Sequence, residues 1–596
     1  MGYIPTNILP YNGANVKSFI LPAPDMGVCF DTGEDNGEKR CSKAVNVISQ
    51  SGCVKSRPEF EPCSSFPENA GAYHGKSDRE YMGSIIFHMG TSLYRFDAEK
   101  ESVTQIFSEI DDTDSMMCRF LSKLYIFCNY RIFSVDKDFV CTEEEPFAPH
   151  MYQVSSTGLV TKIKAEDGAV LNLASPRITV TFAFRNEHSY AFPVNCDITR
   201  PIVVKRDGEV LSNSKYTVTE SKLKILDFGN TGDLTVEYYF DTTDEEIEYN
   251  DLFYGCTRCI SYGGNDIGGT RIIASGNSKR KGEYCKSSLL DPLYFPINET
   301  ETIGDGCDNV TAFLPVYEYL MIFTERSVYR MSYTLKDDGG FFSIKHINDT
   351  AGCDIAQSVR LCDNRAVFAN FREGVFTVYH EDESGVHNVK PISGNINLSG
   401  DGKQGLLSLS PSELKDGKSA VLGEKYYLLA GNYIFVWDFG RCSYYSSSSF
   451  EKSQGRLIWH IWQAESFADL FEAQGKLFAL SKDGITVKKL CDGSQKQFCP
   501  QSSFTVKETD FGTPFALKYV TEITSDIYCR DKSEITFSLY GDGEKYHSFS
   551  VKPVSDGRRK ITVSLPEKAL YRLGVEVSSN GGGFEFYGAA IKVKYV

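Results

Sequence analysis

Residues 426–438 read YYLLAGNYIFVWD, two apolar runs on either side of a Gly-Asn turn. Aromatic and branched apolar side chains favour extended backbone, whereas Gly and Asn favour tight turns. The stretch therefore predicts a β-hairpin, with one strand over Tyr426–Leu429 and the other over Ile434–Asp438.

The same pattern occurs seven times between residues 80 and 490. The paired runs are Ser84–Phe87 with Leu93–Asp97, Leu124–Phe127 with Ile132–Asp136, Cys259–Tyr262 with Thr270–Ala274, Tyr319–Phe323 with Val328–Met331, Ala366–Ala369 with Gly374–Tyr379, Tyr426–Leu429 with Ile434–Asp438, and Lys476–Leu480 with Ile485–Val487. A four-stranded propeller blade takes about 40–50 residues, close to most of these intervals. The sequence therefore predicts an all-β fold with a β-propeller of six to eight blades. A set of separate β-sandwiches is the alternative.

Two regions differ from the hairpin pattern. Residues 151–250 and 501–596 alternate apolar and polar side chains with period two, as in Lys560–Leu565 and Ile591–Tyr595, which predicts an inserted β-sandwich and a C-terminal β-sandwich. The rest of the chain is then predicted to contain an extended N-terminal arm over 1–44, the first propeller blades over 45–150 and the other blades over 251–500. Glu465–Gln474 is the main helix candidate.

The composition narrows the classes of function. The net charge is −16, and no basic block offers the footprint that a nucleic-acid groove needs. An acidic surface suits a channel along which DNA slides without adhering, although solubility alone also explains it. The longest apolar runs are strand-sized, far below the roughly 20 residues of a membrane helix, so no membrane association is expected.

The cysteines do not form a recognisable framework. The 18 residues are irregularly spaced, which predicts reduced, mostly buried thiols in a protein made in a cytoplasm. Cys256 and Cys259 have the spacing of metal ligands, but no second pair follows, so no metal site is predicted and the question stays open for this pair.

No motif carries catalytic or cofactor chemistry. Gly71–Ser77 resembles a phosphate loop, but its glycines are too close together and a strand follows instead of a helix. Gly264–Gly269 is a turn between strands, and the acidic groups at Asp111–Asp114 and Asp244–Glu246 fit solvated turns better than calcium or glycosidase sites. We therefore expect no enzyme and no cofactor. Glycan hydrolysis is the enzyme alternative, since propellers host such enzymes.

Three segments give the chain a family resemblance. Val45–Gly52 leads to Arg57-Pro58; Arg271 leads to Ser275-Gly276-Asn277; and Asp291-Pro292 leads to Tyr294-Phe295-Pro296. In this order they resemble tail structural proteins of tailed bacteriophages, and above all the propeller-bearing nozzle and tail-hub proteins of short-tailed phages. The chain departs from the pattern at Ser278–Lys281, where a Pro-Asn loop is common.

The resemblance implies a structural virion protein assembled in the bacterial cytoplasm. It implies a ring of identical subunits, often sixfold, below the portal and adaptor, which guides or retains DNA without sequence-specific binding. The residues carrying the resemblance are then structural, and residues 1–44 are expected to dock on a partner ring. A receptor- or glycan-binding tail protein is the alternative, because propellers and sandwiches commonly bind sugars.

Overall fold

A computed structural model defines where the strands lie. It describes residues 16–30, 39–50, 52–74, 79–153, 164–165, 171–184, 189–227, 232–243, 252–264, 269–336, 339–380, 387–399, 404–441, 457–492, 498–499, 501–530 and 533–595. These residues divide into two compact units. Unit 1 comprises residues 1–65 and 357–596, and unit 2 comprises residues 66–356.

The described strands of the first half are as follows. The N-terminal strands are β1 (Val16–Pro22), β2 (Cys41–Val45), β3 (Val47–Gln50), β4 (Cys53–Ser56) and β5 (Phe60–Ser65). The next eight are β6 (Glu80–Tyr81), β7 (Ser84–Met89), β8 (Ser92–Asp97), β9 (Ser102–Ser108), β10 (Met116–Phe120), β11 (Lys123–Cys128), β12 (Arg131–Val135) and β13 (Cys141–Glu144). The insertion contains β14 (His150–Gln153), β15 (Lys164–Ala165), β16 (Arg177–Phe184), β17 (Ser189–Ala191), β18 (Val203–Arg206), β19 (Glu209–Val210), β20 (Tyr216–Thr219), β21 (Lys222–Ile225) and β22 (Gly232–Tyr239).

The second half continues in the same manner. Its blade strands are β23 (Arg258–Tyr262), β24 (Arg271–Ser275), β25 (Glu283–Lys286), β26 (Thr300–Thr302), β27 (Val310–Val316), β28 (Tyr319–Thr324), β29 (Val328–Lys336), β30 (Gly339–Asn348), β31 (Arg360–Cys362), β32 (Arg365–Asn370), β33 (Gly374–His380), β34 (His387–Pro391), β35 (Lys418–Leu422), β36 (Lys425–Ala430), β37 (Tyr433–Asp438), β38 (Trp459–Gln463), β39 (Phe467–Ala473), β40 (Lys476–Ser481) and β41 (Thr486–Leu490). The last strands are β42 (Gln501–Thr509), β43 (Lys518–Cys529), β44 (Glu534–Gly541), β45 (Glu544–Val551), β46 (Gly557–Ser564), β47 (Ala569–Leu570), β48 (Leu573–Asn580) and β49 (Phe584–Tyr595).

The described strands form seven four-stranded antiparallel sheets, the blades of a β-propeller. Unit 2 holds four, β6–β9, β10–β13, β23–β26 and β27–β30, and unit 1 holds three, β31–β34, β35–β38 and β39–β41 with β5. We number them blades 1 to 7 in chain order, except that β5 reaches blade 7 from the N-terminal side. The all-β propeller prediction is confirmed, and seven blades lie within the predicted six to eight.

The predicted hairpins correspond to paired strands. Six of the seven are the second and third strands of a blade, whereas the hairpin at Cys259–Ala274 is the first and second, β23 and β24. The apolar runs arise because blade strands are covered on both faces: all six residues of β7 are buried. Within unit 1, Tyr427 and Trp462 of blade 6 share a core cluster with Leu470 and Leu477 of blade 7.

The insertion between blades 2 and 3 is a β-sandwich, as the fold prediction required. A six-stranded sheet, β15-β14-β16-β22-β18-β19, lies with a three-stranded sheet, β17-β21-β20. Val180 and Val236 of the first and Tyr190 and Leu223 of the second share one buried cluster. The same cluster includes Phe127 and other blade residues, so the insertion and its neighbouring blades have a continuous core.

The N-terminal strands belong to the two sheets of the C-terminal sandwich. The prediction of a separate extended arm over residues 1–44 is therefore corrected. β1 pairs with β49 and β2 with β42, while β3 and β4 extend the same seven-stranded sheet as β49. The two described strands that begin within 1–44, β1 and β2, therefore lie in the C-terminal sheets, and blade strands do not begin at residue 45. Phe504 packs against Phe586 across the two sheets, with ring centroids 5.3 Å apart. Residues 1–15 and 31–38 lie outside the described residues.

The helix prediction over Glu465–Gln474 is wrong. Phe467–Ala473 is β39, and Leu470 and Phe471 are consecutive buried residues because both strand faces are covered. The α-helix in the described residues is Pro411–Lys415, started by a capping box of Ser410 and Glu413. Short 3-10 turns lie at Asn213–Lys215, Ile297–Glu299, Gly394–Ile396 and Leu406–Ser408. Within the described part of the chain, no helix has the length and hydrophobicity needed to cross a membrane.

Candidate functional site

Arg57 of the Arg-Pro pair is a buried cross-link. Its guanidinium donates to Asn46 Oδ1, Pro58 O and Gln463 O at 2.8–3.0 Å, and lies 5.6 Å from the Trp462 ring centroid. Pro58 makes a β-bridge with Phe498. The pair therefore joins the N-terminal strands to blade 6 inside unit 1, and neither residue forms a recognition surface.

The segment Arg271 to Asn277 is equally internal. Arg271 donates to Ser287 O at 2.7 Å, and the Ser275 hydroxyl donates to Glu283 O at 2.6 Å. Gly276 has φ +88°, and a Cβ there would lie 2.6 Å from Thr257 Oγ1. The Asn277 amide donates to Leu252 O at 3.2 Å. Glycine is required here for both backbone conformation and space.

The Asp291–Pro296 segment holds blade 3 against the insertion. Asp291 Oδ1 accepts from Leu293 N at 2.9 Å, closing the turn that contains Pro292. The ring of Tyr294 packs on Phe147 and that of Phe295 on Phe253.

A buried asparagine anchors this segment. Asn172 donates to Phe147 O and Leu293 O and accepts from Ala174 N and Phe295 N, all at 2.8–3.0 Å, while its backbone bridges Pro296. Its amide is thus fully paired. Asn172 was not among the residues predicted from the sequence, because a single Asn between strands carries no periodic signal.

Unit 2 contains a cleft of about 370 Å³ beside these motifs. We call it the blade 2–3 cleft. Its lining residues are Thr113, Asp114, Met116, Phe127, Asn129, Tyr130, Tyr254, Gly255, Cys256, Asn277, Ser278 and Lys279. Asn277 is the one residue of the family-like segments in this lining. The floor is mostly apolar and is buried or half-buried, whereas the residues at the rim are exposed, namely Thr113, Asp114, Asn129, Ser278 and Lys279.

Two tyrosines form one wall of the cleft. Tyr130 lies in the two-residue turn between β11 and β12 with φ +64°, a conformation that is strained for a bulky side chain. Its ring centroid lies 4.7 Å from that of Tyr254. Tyr254 donates to Ala174 O at 3.1 Å, and burial raises the pKa of its phenol. Packing thus holds both rings in place.

A histidine cluster lies next to the rim. His74 Nε2 is 2.6 Å from Asp112 Oδ1, and its Nδ1 is 3.5 Å from Asp114 Oδ1. His88 is buried between Ser115 Oγ and Gly90 O, each 2.9 Å away. Burial, and next the proximity of His74, lower the pKa of His88 to about 4. Asp112 and Asp114 of the acidic stretch 111–114 therefore both contact the His74 ring.

The cysteine pair lies in the floor of the same region. Cys256 Sγ donates to Leu252 O at 3.1 Å, and Cys259 Sγ donates to Met117 O at 3.3 Å. A hydrogen bond with Cys285, followed by burial, raises the pKa of the Cys256 thiol. A raised pKa disfavours the thiolate that a metal needs. Among the described residues, no group of three or more potential ligands is close enough to hold a metal ion.

Four exposed apolar residues mark one edge of the blades in unit 2. Met82, Leu121 and Tyr317 lie in the turn between the first and second strands of blades 1, 2 and 4. Leu290 lies beside the corresponding loop of blade 3, where its N–H donates to Thr270 O at 2.8 Å. All four have φ between +50° and +55°. Their exposed fractions are 63%, 62%, 78% and 54%. We call them the apolar turn row.

Hydrogen bonds between neighbouring blades fix this edge. Tyr81 of blade 1 donates to Ser122 O in the turn of blade 2. Tyr262 of blade 3 donates to Glu318 O in the turn of blade 4 at 2.7 Å. In both cases the acceptor directly follows a residue of the apolar turn row. The row is therefore held on a rigid scaffold.

The other candidates lie at separate places. Three of them lie wholly or partly outside the described residues: 75–77 of the Gly71–Ser77 segment, the acidic group Asp244–Glu246, and 265–268 of the Gly264–Gly269 turn. Arg280, within the Ser278–Lys281 segment that departs from the family pattern, pairs with Glu283 at 3.2 Å on the blade 3 loop.

Comparisons with known proteins leave the family open. No family model matches the sequence, and no curated protein matches it. Among solved structures, the chain is similar to BamB from Moraxella catarrhalis at 8% identity, over 76% of this chain and 95% of that chain, with a TM-score of 0.32. A second is the AfRom2 CNH domain, at 9% identity over 73% and 99% with a TM-score of 0.29. A mitotic checkpoint complex structure matches at 9% identity over 73% and 92%, with a TM-score of 0.30. Similarity this low carries no argument about function.

Proposed function

We propose that this chain is a structural subunit of a bacteriophage tail, which forms a ring with identical copies and guides or retains DNA. The observation that carries the proposal is the apolar turn row. Large apolar side chains at φ above zero are costly in two ways, through backbone strain and through exposure to water. Three of them lie on equivalent turns of blades 1, 2 and 4, and the fourth lies beside the corresponding loop of blade 3. This arrangement favours a surface that another protein covers.

The surroundings of the family-like segments support a structural role. Arg57, Ser275 and Asn277 are buried and bonded to backbone carbonyls, so these segments stabilise the subunit. The net charge of −16 suits a lumen along which DNA passes without adhering. In this proposal the portal or adaptor and other tail proteins are the further partners, and the protein resides in the virion.

The described lining of the cleft supports a role without catalysis. Glycoside hydrolysis uses two carboxyl groups about 5–10 Å apart. The cleft lining contains one carboxylate, that of Asp114, and this group contacts His74.

Asparagine substitutions test the ring contact. Asn tolerates the left-handed conformation, so Leu121→Asn and Tyr317→Asn should preserve the fold while removing apolar contact area. Each residue still exposes more than half of its surface, so burying it contributes about 1 to 2 kcal/mol. We therefore expect the double variant to weaken self-association by roughly a hundredfold.

Sedimentation velocity measures the outcome. The unchanged protein should sediment as a closed oligomer, and the double variant should dissociate at concentrations where the parent is assembled. Gln474→Asn is the matched control, because Gln474 occupies the same turn of blade 7 at φ +51° and is already polar. A parent protein that stays monomeric at all concentrations, or a double variant that assembles as the parent does, would contradict the proposal.

A further inference from the structure

The blade 2–3 cleft has the dimensions of a ligand site. Its volume of about 370 Å³ falls within the range of small-molecule sites, about 300–1,000 Å³. Its lining combines an apolar, aromatic floor with polar groups at the rim, the usual arrangement in such sites. Its described lining belongs entirely to unit 2.

The aromatic wall is held in place at a conformational cost. A two-residue hairpin turn with both residues at positive φ is best made by Asn-Gly, but here it is Asn129-Tyr130, at φ +45° and +64°. Tyrosine in place of glycine strains the backbone and puts a ring beside Tyr254. Such a strained residue at the mouth of a cleft is typical of a binding position.

The charged side chains at the rim determine which net charge of a ligand the cleft favours. The rim carries one negative group, Asp114, and one positive group, Lys279, so its charges balance and favour a ligand without net charge. Both side chains, together with the Asn129 amide, supply hydrogen-bond donors and acceptors. The ligand therefore needs several hydroxyl-type groups and one apolar face for the tyrosines.

We propose that the blade 2–3 cleft binds a neutral saccharide, whose C–H face packs on Tyr130 and Tyr254 while its hydroxyls bond to Asp114, Asn129 and Lys279. A pyranose ring combines these features, whereas an aliphatic ligand would form no hydrogen bonds with the rim groups and a phosphorylated one would face the Asp114 carboxylate. This inference is independent of the proposed ring, because it uses none of the residues of the apolar turn row.

Saturation-transfer NMR on the full chain provides the test. The probes are glucose, galactose, N-acetylglucosamine, maltose, lactose and chitobiose, each at up to about 20 mM, because weak sites of this kind bind near the millimolar range. We expect signal transfer to the C–H protons of at least one probe. The absence of transfer from all six would overturn the proposal.

A glycine variant separates binding from folding. Tyr130→Gly removes the ring but suits the φ of +64°, so the melting temperature should change little. Because one of the two stacking rings is lost, the affinity for the saccharide that binds should fall at least about tenfold. Binding equal to that of the parent would overturn the proposal.

Tyr317→Gly is the matched control. It makes the same exchange at a left-handed turn residue outside the cleft, with φ +53°, and should leave saccharide affinity unchanged. Equal loss in both variants would mean that the Tyr130 effect is not local, and would also overturn the proposal. Asp114→Asn should lower the saccharide affinity without changing the sedimentation of the protein. Leu121→Asn should change the sedimentation and leave the saccharide affinity as in the parent.

Discussion

Protonation of a buried histidine should make unit 1 markedly less stable in mild acid. His460 lies on β38, 1% exposed, and its Nε2 accepts the Ser49 N–H at 2.9 Å. Burial, followed by the nearby Arg441 charge, lowers the pKa of His460 to about 3. A proton on Nε2 would remove this acceptor and bury an unpaired charge.

The magnitude follows from proton linkage. The unfolded chain binds a proton at His460 with a pKa near 6.5, whereas the folded chain does not until the pH approaches 3. The stability is therefore fully present above pH 6.5 and decreases as the pH falls towards 3. Between pH 7 and pH 5 the expected loss is about 2 kcal/mol from this residue.

Tryptophan fluorescence during urea unfolding reports this loss locally. All three tryptophans, Trp437, Trp459 and Trp462, lie on β37 or β38. We expect His460→Gln, whose amide oxygen can accept the Ser49 N–H, to reduce the loss of unfolding free energy between pH 7 and pH 5 by about 2 kcal/mol. His346→Gln, at an exposed histidine, is the control. Identical pH dependence of the unfolding free energy in the parent and in His460→Gln would contradict this prediction.

Three further predictions concern the folded structure. Gly276→Ala should lower the melting temperature much more than Gly208→Ala does. Both glycines have φ near +87°, but of the two only the Cβ at 276 would meet other atoms, with Thr257 Oγ1 at 2.6 Å. Asn172→Ala should destabilise unit 2 by about 3 to 4 kcal/mol, since it removes four hydrogen bonds at about 1 kcal/mol each; thermal unfolding that matches the parent would contradict this. Brief iodoacetamide treatment of the native protein should label exposed Cys307 and leave buried Cys41 unmodified, as peptide mass spectrometry would show, and equal labelling would contradict the burial assigned to Cys41.

The sequence predicted those parts of the fold that depend on local pairing. A blade hairpin joins strands only a few residues apart, so its apolar runs and its turn lie within one short window, as at Tyr426–Asp438. The same local pattern wrongly predicted a helix at the strand Phe467–Ala473. A strand that is buried on both faces has no period-two signal to distinguish it from a helix.

Pairing between strands that are far apart in the chain could not be predicted from the sequence pattern. β1 pairs with β49 across almost the whole chain, and nothing in Val16–Pro22 identifies that partner, so the segment was predicted to be an arm. The cleft was likewise missed, because Tyr130, Tyr254 and Lys279 are brought together only by folding. The internal hydrogen bonds of the family-like residues likewise became visible only in three dimensions.

Electron microscopy of the purified chain shows whether the edge bearing Leu121 and Tyr317 joins one copy of the protein to the next. We expect closed rings of identical subunits, with this edge covered by the neighbouring subunit at every contact. Isolated subunits, or rings in which both side chains face solvent, would contradict this expectation.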